Sequence, residues 1–166
     1  MTDLHLAQVN IGRLRAPMDA PATKAFADAL DEVNALADTA PGFVWRLQTE
    51  DGNATAVRPY DDDMILVNMS VWTSVEALAD FVYRSDHAAF LRRRREWFDR
   101  METPIATMWW VPAGHRPPVA EAVARLEHLT AHGPTSHAFT FRQPFAPDGG
   151  GGLAPSATDD RDACPA

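Results

Sequence analysis

Residues 64–101, MILVNMSVWTSVEALADFVYRSDHAAFLRRRREWFDRM, decide the fold predicted for this chain. Residues 64–72 are rich in β-branched and large apolar side chains, which favour a strand. Thr73 stands three positions before Glu76, a spacing typical of a capping box that opens a helix. Apolar residues then recur at helical spacing, and the Ser-Asp pair at 85–86 can restart a second helical segment. The stretch therefore predicts one strand followed by two helical segments.

The predicted strand at 64–72 has two unlike faces, because side chains alternate along a strand. One face is apolar and can lie under helices: Ile65, Val67, Met69 and Val71. The other face is mixed: Leu66, Asn68, Ser70 and Trp72. A buried polar group without a partner costs roughly 1–3 kcal/mol, so the mixed face favours a lined, partly wet cavity. A solvent-facing surface closed at one end by Trp72 is the alternative.

A first strand at residues 4–12 repeats this pattern. Its apolar face carries Ala7, Val9 and Ile11, and its mixed face carries Leu4, Leu6, Gln8 and Asn10. The repetition favours one cavity shared by the two mixed faces. The strand predicted at 43–49 adds Arg46 to this set of polar candidates.

The remaining elements complete a known order. We predict a helix from about 19 or 21 to 39, a strand at 104–111, a helix at 119–132 and a short strand at 137–141. Strand, helix, strand, strand, helix, strand is the ferredoxin-like split βαβ pattern of the α+β class, here with a C-terminal helix–strand extension. The predicted domain spans residues 1–143, and the Gly/Pro/Asp-rich residues 144–166 are predicted to be a disordered tail.

Composition excludes several classes of function. The net charge of −8 over 166 residues argues against a nucleic-acid partner, which needs a basic surface. No apolar run approaches a membrane span, and no signal peptide is evident, so we expect a cytoplasmic protein. Cys164 is the only cysteine, and His128 and His132 lack a completing ligand, so we predict no metal site. Phosphate-loop and dinucleotide motifs are also absent from the sequence.

The second helical segment places His87 and Arg94 on its apolar, inward stripe. His87 can serve a site or be a satisfied core histidine, and the other arginines of the run can simply form a solvated helix face. Trp109 and Trp110 must point to opposite faces of their strand. The proline-rich loop after them presents His115, either as part of a site or as a surface connection.

A homodimer follows from the predicted sheet. Helices cover one face, and the other face is left with exposed apolar side chains, including tryptophan. A face of this kind is normally covered. The simplest cover is a second copy of the same sheet related by a twofold axis, which would give a dimeric α/β barrel.

The stretch SVWTSVEALADFVYRSDHAAF resembles the strand-to-helix signature of the dimeric α/β-barrel superfamily, which includes the antibiotic-biosynthesis monooxygenases. The matching positions are Trp72, Thr73, Glu76 and His87. A longer set resembles an uncharacterised domain family within that superfamily: Tyr83, Trp97, Phe98, Trp109, Trp110, PAGH at 112–115 and AFTF at 138–141. The resemblance covers roughly residues 4–142 and implies a fold more than an activity, because one fold hosts many chemistries.

The resemblance implies a small cofactor-independent monooxygenase that acts on an aromatic or polyketide-like molecule in an apolar barrel cavity. Carried over from characterised relatives, the resemblance implies Asn10 or Asn68, Trp72, and Tyr83 or His87 as pocket residues. We predict Asn10, Asn68, Trp72 and His87 as the catalytic residues. From their positions around the predicted cavity, we predict these substrate-binding residues: Gln8, Arg46, Ser70, Tyr83, Arg94, Trp109, Trp110 and His115. The amides would stabilise negative charge, and His87 or Tyr83 would carry a proton.

Two alternatives stay open. In haem-degrading relatives the iron-ligating histidine lies further along the helix, where residues 90–93 have none, although His87 can in principle supply it. Arg46 or Arg94 would then pair with a propionate. In the other alternative, the protein is a dimer that binds a small molecule without turning it over.

Overall fold

Residues 3–150 of the computed structural model form a four-stranded antiparallel sheet and four α-helices. In chain order these elements are β1 (Leu4–Arg13), α1 (Lys24–Asp38), β2 (Phe43–Arg46), β3 (Ile65–Trp72), α2 (Val75–Arg84), α3 (His87–Trp97), β4 (Ala106–Pro112) and α4 (Val119–His132). The strand order is β2-β3-β1-β4. This topology confirms the predicted α+β, ferredoxin-like fold.

Strand β1 lies at the centre of the sheet and fixes the register of the polar side chains. Gln8 lies opposite Ser70 of β3 on one side and opposite Met108 of β4 on the other. Asn10 lies opposite Asn68. Because residues paired across antiparallel strands share a face, the polar side chains of the two predicted mixed faces are neighbours.

Helices α1, α2 and α3 cover this mixed face. Leu6, Trp72 and Met108 pack with Leu78 of α2, and Leu66 packs with apolar side chains of α1 and α3. We expected these helices on the apolar face, and that prediction is wrong. The large apolar side chains at both ends of the mixed face provide the packing surface, while the amides lie between them.

Helix α4 covers the apolar face within the same chain. Ala7, Val67 and Met69 are at most 3% exposed and pack with Ala122 and Leu126 of α4. Strand β2 and the segment that follows it add four partly buried side chains: Trp45, Leu47, Val57 and Tyr60. In residues 3–150 this face is therefore covered, and the reason given for a homodimer does not hold. The homodimer stays a prediction, and a sheet-to-sheet barrel would require α4 to leave the face.

Several predicted elements differ from the structure, and α1 begins at Lys24 instead of at residue 19 or 21. Strand β2 ends at Arg46 instead of residue 49, after a register shift between Phe43 and Trp45. In place of the predicted strand at 137–141 there are two isolated bridges, one between Phe139 and Met108 and one between Ala138 and Thr135. The cap of α2 is Ser74, whose Oγ accepts a hydrogen bond from the backbone N–H of Ala77 at 3.1 Å, so the predicted capping role of Thr73 is wrong.

Packing continues past the predicted domain boundary at residue 143. Phe145 packs against the core under α2, and its ring centroid lies 6.0 Å from that of Phe139. Its backbone carbonyl accepts a hydrogen bond from Trp110 Nε1 at 2.9 Å. The rest of the predicted tail, residues 151–166 with Cys164, lies outside the described residues.

Substituting Leu126→Ala tests the cover of the apolar face. Leu126 packs against the sheet and is only 4% exposed, so we expect its loss to lower the free energy of unfolding by about 2–5 kcal/mol. Exposed Glu127→Ala, on the same helix, is the control and should change it by less than about 0.5 kcal/mol. Urea denaturation of both variants measures the difference, and equal stability would show that α4 does not cover the sheet.

Candidate small-molecule site

A row of hydrogen-bonded side chains crosses the mixed face beneath the helices. Gln8 Nε2 donates to Ser70 Oγ at 2.8 Å, and Trp72 Nε1 donates to the same oxygen at 2.8 Å. Asn10 Nδ2 donates to Gln8 Oε1 at 3.4 Å. All four residues are at most 6% exposed. The polar side chains therefore find partners in one another, as buried polar groups require.

Trp72 continues this row into a stack of three rings. Its ring centroid lies 5.1 Å from that of Phe81, and Phe81 lies 4.9 Å from the imidazole of His87. His87 is 1% exposed, and its Nδ1 lies 3.2 Å from the carbonyl oxygen of Val82. Because a carbonyl only accepts, neutral His87 carries its proton on Nδ1. Burial lowers the pKa of His87, with the Val82 contact acting in the opposite direction.

A cavity of about 770 Å³ opens beside the polar row. Its walls come from α2, α3, β4 and the segments at 98–105 and 139–141. Of the predicted site residues, Gln8 and Arg94 line it. Its apolar lining includes Leu78, Val82, Ile105, Met108, Phe139 and Phe141. The volume lies within the range of about 300–1,000 Å³ that is typical of small-molecule sites.

Gln8 connects this cavity to a second, much smaller space. That space measures about 20 Å³ and is lined by Gln8, Asn68, Ser70 and Trp72, together with Arg46. Its size is that of roughly one water molecule. Gln8 has two amide hydrogens, and one of them is donated to Ser70 Oγ in a hydrogen bond. The second can be donated to a molecule in the large cavity.

The other predicted site residues are not brought to the large cavity. Arg46 pairs with Asp38 at 2.7 Å, and Trp109, on the opposite face, donates its Nε1–H to Glu121 at 2.8 Å. His115 also pairs with Glu121, at 2.8 Å, on the surface. Trp110 bonds to the carbonyl of residue 145, and Tyr83 packs edge-on against Phe141 at 5.5 Å behind the lining. His87 and Asn10 belong to the buried row and stack.

Sequence reasoning missed most of the lining of the cavity. Met108 lies directly opposite Gln8, and this pairing becomes visible once the strand register is known. Phe139 lies against β4 through the isolated bridge to Met108. The segment at 98–105 contributes Arg100 and Glu102, and it has no periodic pattern from which its position can be predicted.

The predicted haem alternative does not fit this arrangement. An axial ligand must face a cavity wide enough for the porphyrin. His87 is 1% exposed, packs on Phe81 and is not among the residues that line the 770 Å³ cavity. Arg46, a predicted propionate partner, is already paired with Asp38. The described residues thus provide no haem site through His87.

Within residues 3–150, three histidine side chains lie close together near the C-terminal end of α4. The rings of His128 and His132 lie 4.5 Å apart, and His137 lies 4.6 Å from His128. No group of three or more ligating side chains in this part of the chain is arranged to hold a metal ion. In the same residues no helix combines the length and the apolar character needed to span a membrane.

Substituting Ser70→Ala tests the polar row. The change removes the acceptor of both Gln8 and Trp72, and each buried donor left without a partner costs roughly 1–3 kcal/mol. Exposed Ser136→Ala is the control and should be nearly neutral. Chemical denaturation gives both values, and an unchanged free energy of unfolding for Ser70→Ala would mean that the row is not formed.

The buried His87 predicts a pH dependence of stability. Its pKa is lowered in the folded state, so below about pH 6.5 the unfolded chain binds more protons than the folded protein. The stability that neutral His87 contributes to the folded protein is fully present above that pH and is lost as the pH falls. We expect His87→Gln to flatten the decline in unfolding free energy between about pH 7.5 and 5.5. An unchanged slope would contradict a neutral, buried imidazole.

Three solved structures share a limited likeness with this chain. SnoaB, a cofactor-independent oxygenase from Streptomyces nogalater, is 20% identical, with a TM-score of 0.44 over 69% of this chain and 97% of its own. NE2512, a protein of unknown function from Nitrosomonas europaea, is 12% identical, with a TM-score of 0.43 over 71% of this chain and 98% of its own. A monooxygenase from the gene ActVA-Orf6 of Streptomyces coelicolor, in complex with nanaomycin D, is 16% identical, with a TM-score of 0.38 over 70% of this chain and 93% of its own. Likeness of this size assigns no activity to this chain.

A family match is much more extensive. Residues 5–152 match the family described as domain of unknown function DUF3291. A comparison with curated proteins finds no match. The matched range includes all four helices and, except for Leu4 at the start of β1, the whole sheet. The chain therefore belongs to the DUF3291 family.

Proposed function

We propose that this protein binds an aromatic small molecule in the 770 Å³ cavity and promotes its oxidation by molecular oxygen without a bound cofactor. The observation that carries the proposal is the position of Gln8. Its amide is held by Ser70 and Asn10 at the wall of a largely apolar cavity, with one N–H left to donate. A directed polar group in an apolar pocket is the usual form of a small-molecule site.

The proposed substrate has an acidic methylene group conjugated to an aromatic oxygen, as in an anthrone. Loss of a proton from the methylene carbon gives an anion whose charge lies largely on that oxygen. The anion reduces O₂, the methylene becomes a carbonyl, and the second oxygen atom leaves as water. A hydrogen bond from Gln8 to the charged oxygen stabilises this anion, as donors aimed at developing charge do.

The remaining lining residues have supporting roles in this proposal. Leu78, Met108 and Phe139 provide flat apolar contacts for the rings and exclude water from the reacting carbon. Glu102 is the carboxylate among the lining residues of the described chain, so we assign proton acceptance to it instead of to His87 or Tyr83. Asn10, Ser70 and Trp72 act as positioning residues, because they orient Gln8 without lining the large cavity.

One observation favours a second candidate function, the binding of a small molecule without turnover. The two groups predicted to carry protons, His87 and Tyr83, both lie outside the residues that line the cavity. A site with a single carboxylate near its mouth can hold an aromatic ligand and release it unchanged. Strand β1, helices α2 and α3, and strand β4 of one chain contribute to the lining of this cavity.

Oxygen consumption with 1,8-dihydroxyanthrone separates the two functions. We expect the protein to accelerate oxygen uptake and Gln8→Leu to lower kcat/KM by about 10²-fold, the usual loss when one oriented donor is removed. Gln48→Leu makes the same chemical change at an exposed position just past β2 and should keep the full rate. Binding of the anthrone with no faster uptake would favour the non-catalytic candidate, and full activity of Gln8→Leu would contradict the assigned site.

A further inference from the structure

The lining of the cavity is positively charged although the chain is acidic. The net charge of the sequence is −8, yet the cavity is lined by one glutamate, Glu102, and by four arginines: Arg15, Arg94, Arg95 and Arg100. Such a concentration of one sign of charge in a concave surface raises the local concentration of anions. It is not the pattern expected for a site that receives only neutral aromatic molecules.

We propose that the molecule bound in this cavity carries a carboxylate on its aromatic ring system, and that Arg94 and Arg100 bind it. The inference rests on the site assigned above, but it does not require turnover. Its basis is that the lining has an apolar part, which includes Leu78, Met108 and Phe139, and a cationic part, which includes Arg94, Arg95 and Arg100. A ligand with a flat apolar body and one anionic end matches both parts.

Arg94 provides a fixed end for this contact. It is 7% exposed, its guanidinium carbon lies 5.4 Å from the ring centroid of Phe98, and its Nη2 is 3.5 Å from the carbonyl oxygen of Ile11. A guanidinium held in this way by a strand and a ring loses little freedom when it binds a ligand. Its planar array of donors suits a carboxylate better than a single-point acceptor.

The other arginines of the lining differ in how far they are already neutralised. Arg15 lies 3.5 Å from Asp99 and also donates to the carbonyl of Phe98 at 3.3 Å. Arg100 is exposed, and within residues 3–150 it makes no ion pair. We therefore assign the exposed side of the proposed carboxylate contact to Arg100 and its buried side to Arg94.

Isothermal titration with 2-naphthoate and with its neutral counterpart, 2-naphthamide, tests this inference. The two probes share the ring system and differ in charge. We expect the native protein to bind 2-naphthoate at least about 10-fold more tightly, since hydrogen bonds to charged groups are the stronger ones. We expect Arg94→Met and Arg100→Gln each to lower the affinity for 2-naphthoate by about 10-fold and to leave the affinity for 2-naphthamide unchanged.

Arg84→Gln is the matched control, because Arg84 is exposed on α2, pairs with Asp80 and does not line the cavity. It should bind both probes as the native protein does. Arg100→Gln keeps the test decisive if Arg94→Met does not fold. Equal affinity for the two probes, or an equal loss in Arg84→Gln, overturns the carboxylate inference and leaves the oxidation proposal standing. If neither probe binds the native protein, both the inference and the assigned site are wrong.

Discussion

The structure depends on the hydrogen bonds that meet at Ser70 Oγ. This oxygen accepts hydrogen bonds from the side chains of Gln8 and Trp72, which belong to two neighbouring strands. Without such pairing, an amide and an indole could not lie at 6% exposure or less between a sheet and its helices at an acceptable free energy. The same pairing fixes the direction of the Gln8 amide, and this direction gives the adjoining cavity an oriented amide group from the sheet.

The two faces of the sheet are covered in different ways, and the difference places the site. On the apolar face, α4 and the side chains near Trp45 pack densely. On the mixed face, the helices pack over Trp72 and Leu66, while α2 and α3 do not close over the region next to β4. The cavity forms where Gln8 and Met108 lie side by side at that end. It therefore lies between sheet and helices of one chain, and not between two sheets of a dimer.

Much of the fold was predictable because it rests on periodic patterns. The alternation in β1 and β3, the inward stripe of His87 and Arg94, and the bounds of α4 all follow from local spacing. The face covered by α1–α3 was not predictable, because a row of amides indicates an open cavity as readily as a self-paired row. That choice depends on the Gln8–Ser70 register, which is a long-range pairing. The residues of the cavity wall at 98–105 lie in a segment without periodicity, so their placement also required tertiary contacts.

The central claim is that Gln8 presents its free N–H to a molecule held between sheet and helices. A crystal structure of the protein grown with 1,8-dihydroxyanthraquinone, a stable oxidised counterpart of the proposed substrate, tests it most directly. We expect the ring system to lie against Met108 and Phe139, with an oxygen at hydrogen-bond distance, about 2.7–3.2 Å, from Gln8 Nε2. A ring system bound on another surface would contradict this placement of the ligand. An empty cavity in a crystal grown with saturating ligand would contradict it as well.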